Sequence, residues 1–221
     1  MCGRYVSRDQ AAIEREYDIR IIDPFEKIYN AAPTMALPVL RANATGWNCT
    51  LMRWGLVPSW WSKTELPTST INARAEEAAG KPMWRQAVRH HRCLVPATGW
   101  YEWQRRAEGG PKQPFYIHAL DNTGLCFAGL WSTYLREGVA ADTFAILTRA
   151  ASEELAHIHN RMPVVLPPAA FAEWLDPAVA GSQSVLDQVV GQSRTHFASY
   201  PVSAFVSSPR NQGERCIAPL S

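Results

Sequence analysis

The amino-acid sequence predicts an α+β chain built on one small barrel-like, strongly bent β-sheet with short helices around it. Three observations point there. Strand-like stretches crowd the middle of the chain, the helical stretches around them are short, and no fixed-period repeat, low-complexity run or long polar linker divides the 221 residues. With 47% hydrophobic and 19% charged residues the chain has the make-up of an ordinary globular protein with material for one core, so residues 1–221 read as a single domain.

In chain order, Ser7 with Gln10 three residues on reads as a capping box that opens a helix running through Ile13 and Tyr17. Extended segments follow at 35–41 and 49–57, joined by the turn-rich ANATGWN. PMWRQAVRHH reads as a helix with Pro82 in its first turn, where the missing N–H costs nothing. The runs RCLVPATGWYEWQ, QPFYIHAL and LCFAGLWST read as strands, the last two separated by the turn DNTG, and TFAILT as a further strand. Ser152 is placed to cap a short helix, SEELAHI, with two glutamates in its first turn. MPVVLP, helices around AAFAEWL and SVLDQVV, and a late strand HFASYPVSAFV complete the chain.

A formal charge of +2 neither demands nor excludes a nucleic-acid partner. The basic residues are eighteen Arg and four Lys. Guanidinium forks suit bidentate phosphate contacts, although a GC-rich genome produces the same bias. Nine tryptophans serve a core or stack on unpaired bases. No apolar run is long enough for a membrane span, and no apolar leader opens the chain, so neither a membrane segment nor a signal peptide is expected. Five cysteines, at 2, 49, 93, 126 and 216, form no CxxC pair and cannot all pair within one chain, which suits a reducing cytosol.

Four stretches set polar groups in apolar or aromatic frames: MCGR, TINARAE, GWYEWQ and HIHNRMPVVL. Taken singly, an Asn, Glu or His in such a frame is usually a structural hydrogen-bonding residue. Cys2 has a sharper reading. Removal of Met1 leaves it with a free α-amine and a thiol on adjacent carbons, a pair that closes a five-membered thiazolidine onto an aldehyde. An α-amine titrates near 7.7–8.0 against about 10.4 for lysine, so its nucleophilic neutral fraction at neutral pH is on the order of a few hundred times larger. The plain alternative is a small buried hydrophobe close to a fraying terminus.

If TGWYEWQ is extended, Trp100 and Glu102 share one face while Tyr101 and Trp103 point the other way. An indole beside a carboxyl displaces water and raises its pKa, the setting for a group that takes and returns protons; the alternative is an exposed strand glutamate. His159 follows the predicted short helix, whose negative end favours the imidazolium while Arg161 opposes it. His157 completes an HxH pair, but no Cys or carboxylate cluster of zinc-like spacing accompanies it. His157 therefore reads as structural, and no metal is predicted. Asn72 in INAR reads as a helix cap, and Trp60 and Trp61 in PSWW either stack on a base or pack a core.

Together the stretches MCGRY, YNAAPT, RWGLVPSWW, INARAE, RCLVPATGWYEW, FAGLW, IHNRMPVVL and PRNQG, in this order across almost the whole chain, resemble the SRAP family of SOS-response-associated peptidases. One departure is Asn160, where many members have an acidic residue between His and Arg; it leaves those two assignments in place but alters the local charge. The resemblance implies the SRAP fold, α+β around a barrel-like sheet. It further implies a shield of abasic sites in single-stranded DNA that forms a covalent crosslink through Cys2 after autoproteolytic removal of Met1, a hydrolase and lyase-type chemistry with slow self-reversal.

By the same resemblance Cys2, Asn72, Glu102 and His159 are the catalytic set, with Asn72 orienting the Cys2 amine or the sugar. Arg4, Arg74 and Arg161 hold phosphates beside the lesion. Asn30, Trp60 and Trp61 belong to the DNA-binding surface. No cofactor is needed, and the protein is expected to be a cytoplasmic monomer. Two further readings stay open. One is a cysteine peptidase or N-terminal-nucleophile amidohydrolase acting on proteins, with Cys2 attacking a carbonyl and His159 as base. The other is a non-catalytic binder of single-stranded or modified DNA.

Overall fold

The computed structural model describes residues 2–43, 46–106 and 109–220. Its strands and helices are β1 (Tyr5–Ser7), α1 (Gln10–Tyr17), β2 (Ala36–Asn43), β3 (Gly46–Trp54), β4 (Asn72–Arg74), α2 (Pro82–His90), β5 (Arg92–Gln104), β6 (Gln113–His118), β7 (Leu125–Arg136), β8 (Val139–Ala150), β9 (Arg161–Pro163), α3 (Phe171–Leu175), α4 (Gln183–Gln192) and β10 (Ala198–Pro201).

Five of these strands close a ring. β2 runs antiparallel to β3 and meets β5 at Leu40–Leu94; β3 lies parallel to β8 at Trp54–Phe144; β7 pairs antiparallel with both β8 and β5. Period-two alternation fills the ring from within. Leu37 and Val39 of β2, Cys93, Val95 and Ala97 of β5, Phe127 of β7 and Phe144 and Ile146 of β8 form one cluster. Their neighbours Leu40, Leu94, Ala128, Ala145 and Leu147 face outward into a second core with Trp84, Trp174 and Leu186 of the surrounding helices. The α+β fold around a small barrel is thus the one the sequence predicts. β1, β6 and β10 extend it from the β5 side, and β4 and β9 flank β8.

Three local expectations are corrected. Ser7 does not cap α1: it ends β1, where pairing with Ala97 holds it extended and its Oγ accepts the Ile28 N–H at 2.8 Å. Asp9 caps instead, accepting from the Ala12 N–H at 2.9 Å. SEELAHI is not a helix but a single 3-10 turn, Glu153–Leu155, and Ser152 makes no side-chain cap. The cause is topological, since the chain must return to β8 at the Ala150–Arg161 pair. The late strand stops at Pro201 and gives way to a 3-10 turn, Ala204–Ser207. Residues 44–45 of the predicted ANATGWN turn, and Met1, lie outside the described residues.

Arg92 fastens the helices to the barrel. Its buried guanidinium donates to the carbonyls of Trp174 and Asp176 (both 2.6 Å), Val179 (2.8 Å) and Val88 (3.2 Å). Truncation strands several buried acceptors at once. Arg92→Ala is expected to lower the unfolding free energy by about 3 kcal/mol, read from the shift in a urea denaturation midpoint.

Candidate functional site

The first strand brings Cys2 to the barrel. Tyr5 pairs with Trp100, and the Tyr101 N–H donates to the Arg4 carbonyl at 3.0 Å, so the preceding residues run alongside the stretch of β5 that carries Glu102. Cys2 is fully buried within the cluster that fills the ring. β4 approaches from another side, held parallel to β8 by the Asn72–Ile146 pair. The Asn72 side chain is no helix cap: its Nδ2 donates to the Cys2 carbonyl at 2.8 Å. Its Oδ1 is buried and has no hydrogen-bond partner among the described residues.

On β5 the alternation is the expected one. Trp100 packs into the ring's cluster, edge-on to Phe127 and Phe197, whereas Tyr101 and Trp103 belong to a separate cluster with Tyr116 and Val206. Glu102 is 3% exposed, and burial pushes its carboxyl up to about 7. His159 lies with Nδ1 3.9 Å from the Glu102 Oε2. The structure corrects the expected imidazolium. Burial lowers the His159 pKa, the preceding turn is too short to supply a helix dipole, and Nδ1 accepts the Arg161 backbone N–H at 3.0 Å. A neutral ring with that acceptor carries its hydrogen on Nε2 and remains a donor there.

The Cys2 thiol is pushed well above its ordinary value, by burial first and then by the negative charge of Glu102. It is a neutral thiol at physiological pH. That matters for the choice of chemistry, because attack on a peptide carbonyl wants a thiolate.

The predicted phosphate-holding and stacking residues separate into those on the surface and those already committed. Arg74, at the end of β4, is exposed and forms no ion pair among the described residues. Arg4 Nη1 donates to the Asn30 Oδ1 at 2.9 Å and to the Val206 carbonyl at 3.1 Å, with the guanidinium 5.9 Å from the Trp103 ring. Asn30 itself is fully buried, its Nδ2 set among the carbonyls of Val206, Ser208 and Asn211. It positions Arg4 and presents nothing to a ligand, which corrects its assignment to the DNA surface. Arg161 is likewise committed: it grips Glu76 with two bonds of 2.6 and 2.9 Å and donates to the Thr148 carbonyl at 2.8 Å, so its charge is already neutralised. Glu76 was missed from sequence because an acidic pair after INAR reads as a solvated face. Trp60 is 53% exposed, whereas Trp61 is half-buried and donates its Nε1–H to the Glu65 carbonyl at 3.0 Å, which leaves Trp60 as the ring available for stacking. His157 is exposed, and its carbonyl accepts from Gln104 Nε2 at 3.1 Å.

Comparison with known proteins gives a consistent set of likenesses. The family model described as SOS response associated peptidase (SRAP) matches residues 1–209. The abasic site processing protein YedK of Escherichia coli (strain K12) is 34% identical over 229 residues, covering 100% of both chains. The abasic site processing protein YoaM of Bacillus subtilis (strain 168) is 32% identical, covering 96% of this chain and 95% of its own. Among solved structures, a protein from Bacteroides thetaiotaomicron superposes with a TM-score of 0.85 over 100% of both chains at 23% identity. A phage-related protein from Bordetella bronchiseptica gives 0.71 at 30% identity, covering 91% of this chain and 94% of that one.

Proposed function

The chain belongs to the SRAP family, and from that premise we propose that it processes abasic sites in DNA, capturing the lesion in single-stranded DNA as a thiazolidine on Cys2 once Met1 has been removed. The ring-opened deoxyribose of an abasic site carries an aldehyde at C1′. The neutral α-amine of Cys2 adds to it, loss of water leaves an imine, and the thiol adds across the C=N bond while its proton passes to nitrogen. One water is released overall.

Each neighbouring group has a task in this reading. Asn72 holds the Cys2 carbonyl and so fixes the backbone from which both amine and thiol project. Glu102, titrating at about 7, takes and returns protons near neutral pH. The His159 Nε2–H donates to the sugar oxygen during ring opening. Run backwards, the same groups release the strand, giving slow self-reversal. Removal of Met1 is hydrolysis of the Met1–Cys2 peptide bond, in keeping with the peptidase in the family's name.

The observation that carries the reading is the Asn72–Cys2 hydrogen bond, which fixes the backbone of Cys2 at a place where its thiol also feels the charge of the buried Glu102 carboxyl. The raised thiol pKa weighs against the cysteine-peptidase alternative. Incubation of processed protein with an abasic oligonucleotide, and separately with a generic peptide, tests the choice. A heat-stable, gel-shifted adduct is expected on the first and no multiple-turnover cleavage on the second; repeated peptide cleavage with no adduct would reverse the assignment.

The charges make two further expectations. Arg74→Ala should weaken strand binding equally across sequences and reduce the slope of log K against log salt by about 0.7, one phosphate contact on a single strand. Glu76→Gln should release Arg161 and strengthen binding roughly threefold at low salt, with a steeper salt dependence. Fluorescence anisotropy across a salt series reads both. Unchanged binding in Glu76→Gln would mean that Arg161 serves the fold alone.

A further inference from the structure

Beside His159 the surface opens into a polar cleft of about 410 Å³ between the end of β5 and residues 156–160, with Trp103, Arg105, Lys112 and Asn160 among its walls. The Gln104–His157 bond ties the two walls together. Arg105 and Lys112 are exposed and join none of the ion pairs formed among the described residues. Arg106, between them in sequence, is instead turned to the Gln113 Oε1 at 3.1 Å. Two exposed cations therefore line one cleft, and among the described residues neither forms a salt bridge.

The cleft is electrically continuous with the site. Burial is the main cause of the shifts at Glu102 and His159, and the Lys112 charge adds a smaller downward pull on both, with Arg105 adding to that on His159. The placement is directional as well. Arg74 stands two residues beyond Asn72 on β4, and Arg105 three residues beyond Glu102, just past β5. Exposed cations thus follow both Asn72 and Glu102 along the chain, one at the end of β4 and one just past β5.

We propose that this cleft seats a backbone phosphate of the captured strand on one side of the lesion, held by Arg105 and Lys112, while Arg74 takes a phosphate on the other. The inference rests on the abasic-DNA reading and adds the direction in which the strand is gripped. A phosphodiester fits because the cleft is open and polar and is lined by two exposed cations.

The test uses Arg105→Ala/Lys112→Ala, and Lys112→Glu as a second variant, with three abasic oligonucleotides: lesion internal, lesion at the 5′ end and lesion at the 3′ end. On the internal lesion the double variant should bind roughly tenfold more weakly, with a salt slope lower by about 0.7, the loss of one phosphate contact on a single strand. One terminal-lesion oligonucleotide, the one lacking the seated phosphate, should bind variant and parent alike; the other should show the full loss. Equal losses on all three oligonucleotides, or none on any, would overturn the seat. Should the parent form no adduct while the oligonucleotide-specific loss persists, the Cys2 chemistry fails and the cleft assignment stands.

Discussion

Cys2→Ser, processed so that the serine carries the free amine, is expected to form no heat-stable adduct with abasic single-stranded DNA. The amine is still present and still makes an imine. What is lost is the sulfur that closes the ring, and a hydroxyl in its place gives a cyclic product that reopens readily to the imine. Adduct surviving heat should fall by at least about a hundredfold, the scale on which a covalent nucleophile matters, and borohydride should restore it by reducing the imine. Loss of fold does not explain such a result. The side chain shrinks only slightly within a packed cluster, and the cost of a buried hydroxyl is about 1–3 kcal/mol, which a chemical denaturation curve registers separately. A heat-stable adduct from the serine variant without reductant would remove the thiol from the mechanism.

Glu102→Gln is expected to slow adduct formation and reversal by roughly 10²–10⁴-fold, the usual worth of a positioned acid–base group, while leaving initial strand binding near its parent value. Its effect on stability has the opposite sign. Because burial raises this carboxyl from 4.5 to about 7, the folded protein keeps the proton over a range in which the unfolded chain has lost it. The neutral carboxyl carries no penalty below about pH 4.5, and stability is lost progressively as the pH rises through about 7, where the buried group must ionise. A glutamine never ionises. The variant should therefore match its parent at pH 4.5 and exceed it by about 1–3 kcal/mol at pH 8, by urea denaturation at the two values. Lower stability at pH 8 together with lost activity would make Glu102 a structural residue.

Much of the fold was legible because local signals agreed with it. Pro82 marked the first turn of α2, and β5 was readable from Arg92 to Gln104 because turn residues bound an aromatic, β-favouring run. The alternation Trp100 in, Tyr101 out followed from strand periodicity alone. Closure of the ring was not legible in detail. It depends on the parallel β3–β8 pairing, which joins Trp54 to Phe144 across a long stretch of chain that no local pattern records. Ser7 shows the same limit on a small scale, since a sound capping box lost to the pairing of β1 with β5.

The site divides in a similar way. Residue chemistry gave Cys2 its sharper reading, the family resemblance added Asn72, Glu102 and His159, and the structure brings Asn72 to Cys2 and His159 to Glu102. What sequence could not tell was the state of the charges. An arginine in a motif looks the same whether it faces solvent, as Arg74 does, or is clasped by a carboxylate, as Arg161 is. Asn30 was likewise unreadable, since its three carbonyl neighbours lie near the far end of the chain. The protonation of His159 turned first on its burial, which lowers its pKa, and on a helix that proved to be a single turn.

The central claim is that the aminothiol, not the thiol alone, captures the lesion. A chain that keeps Met1 has an amide at the Cys2 nitrogen, which does not attack an aldehyde, and its thiol by itself gives only a labile hemithioacetal. Intact mass spectrometry of the crosslinked product tests this most directly, on a mixture of processed and unprocessed protein incubated with an abasic oligonucleotide. Every adduct should begin at Cys2 and weigh one water less than its two components combined, with the Met1-bearing chains left unmodified; a stable adduct that retains Met1 would contradict the mechanism.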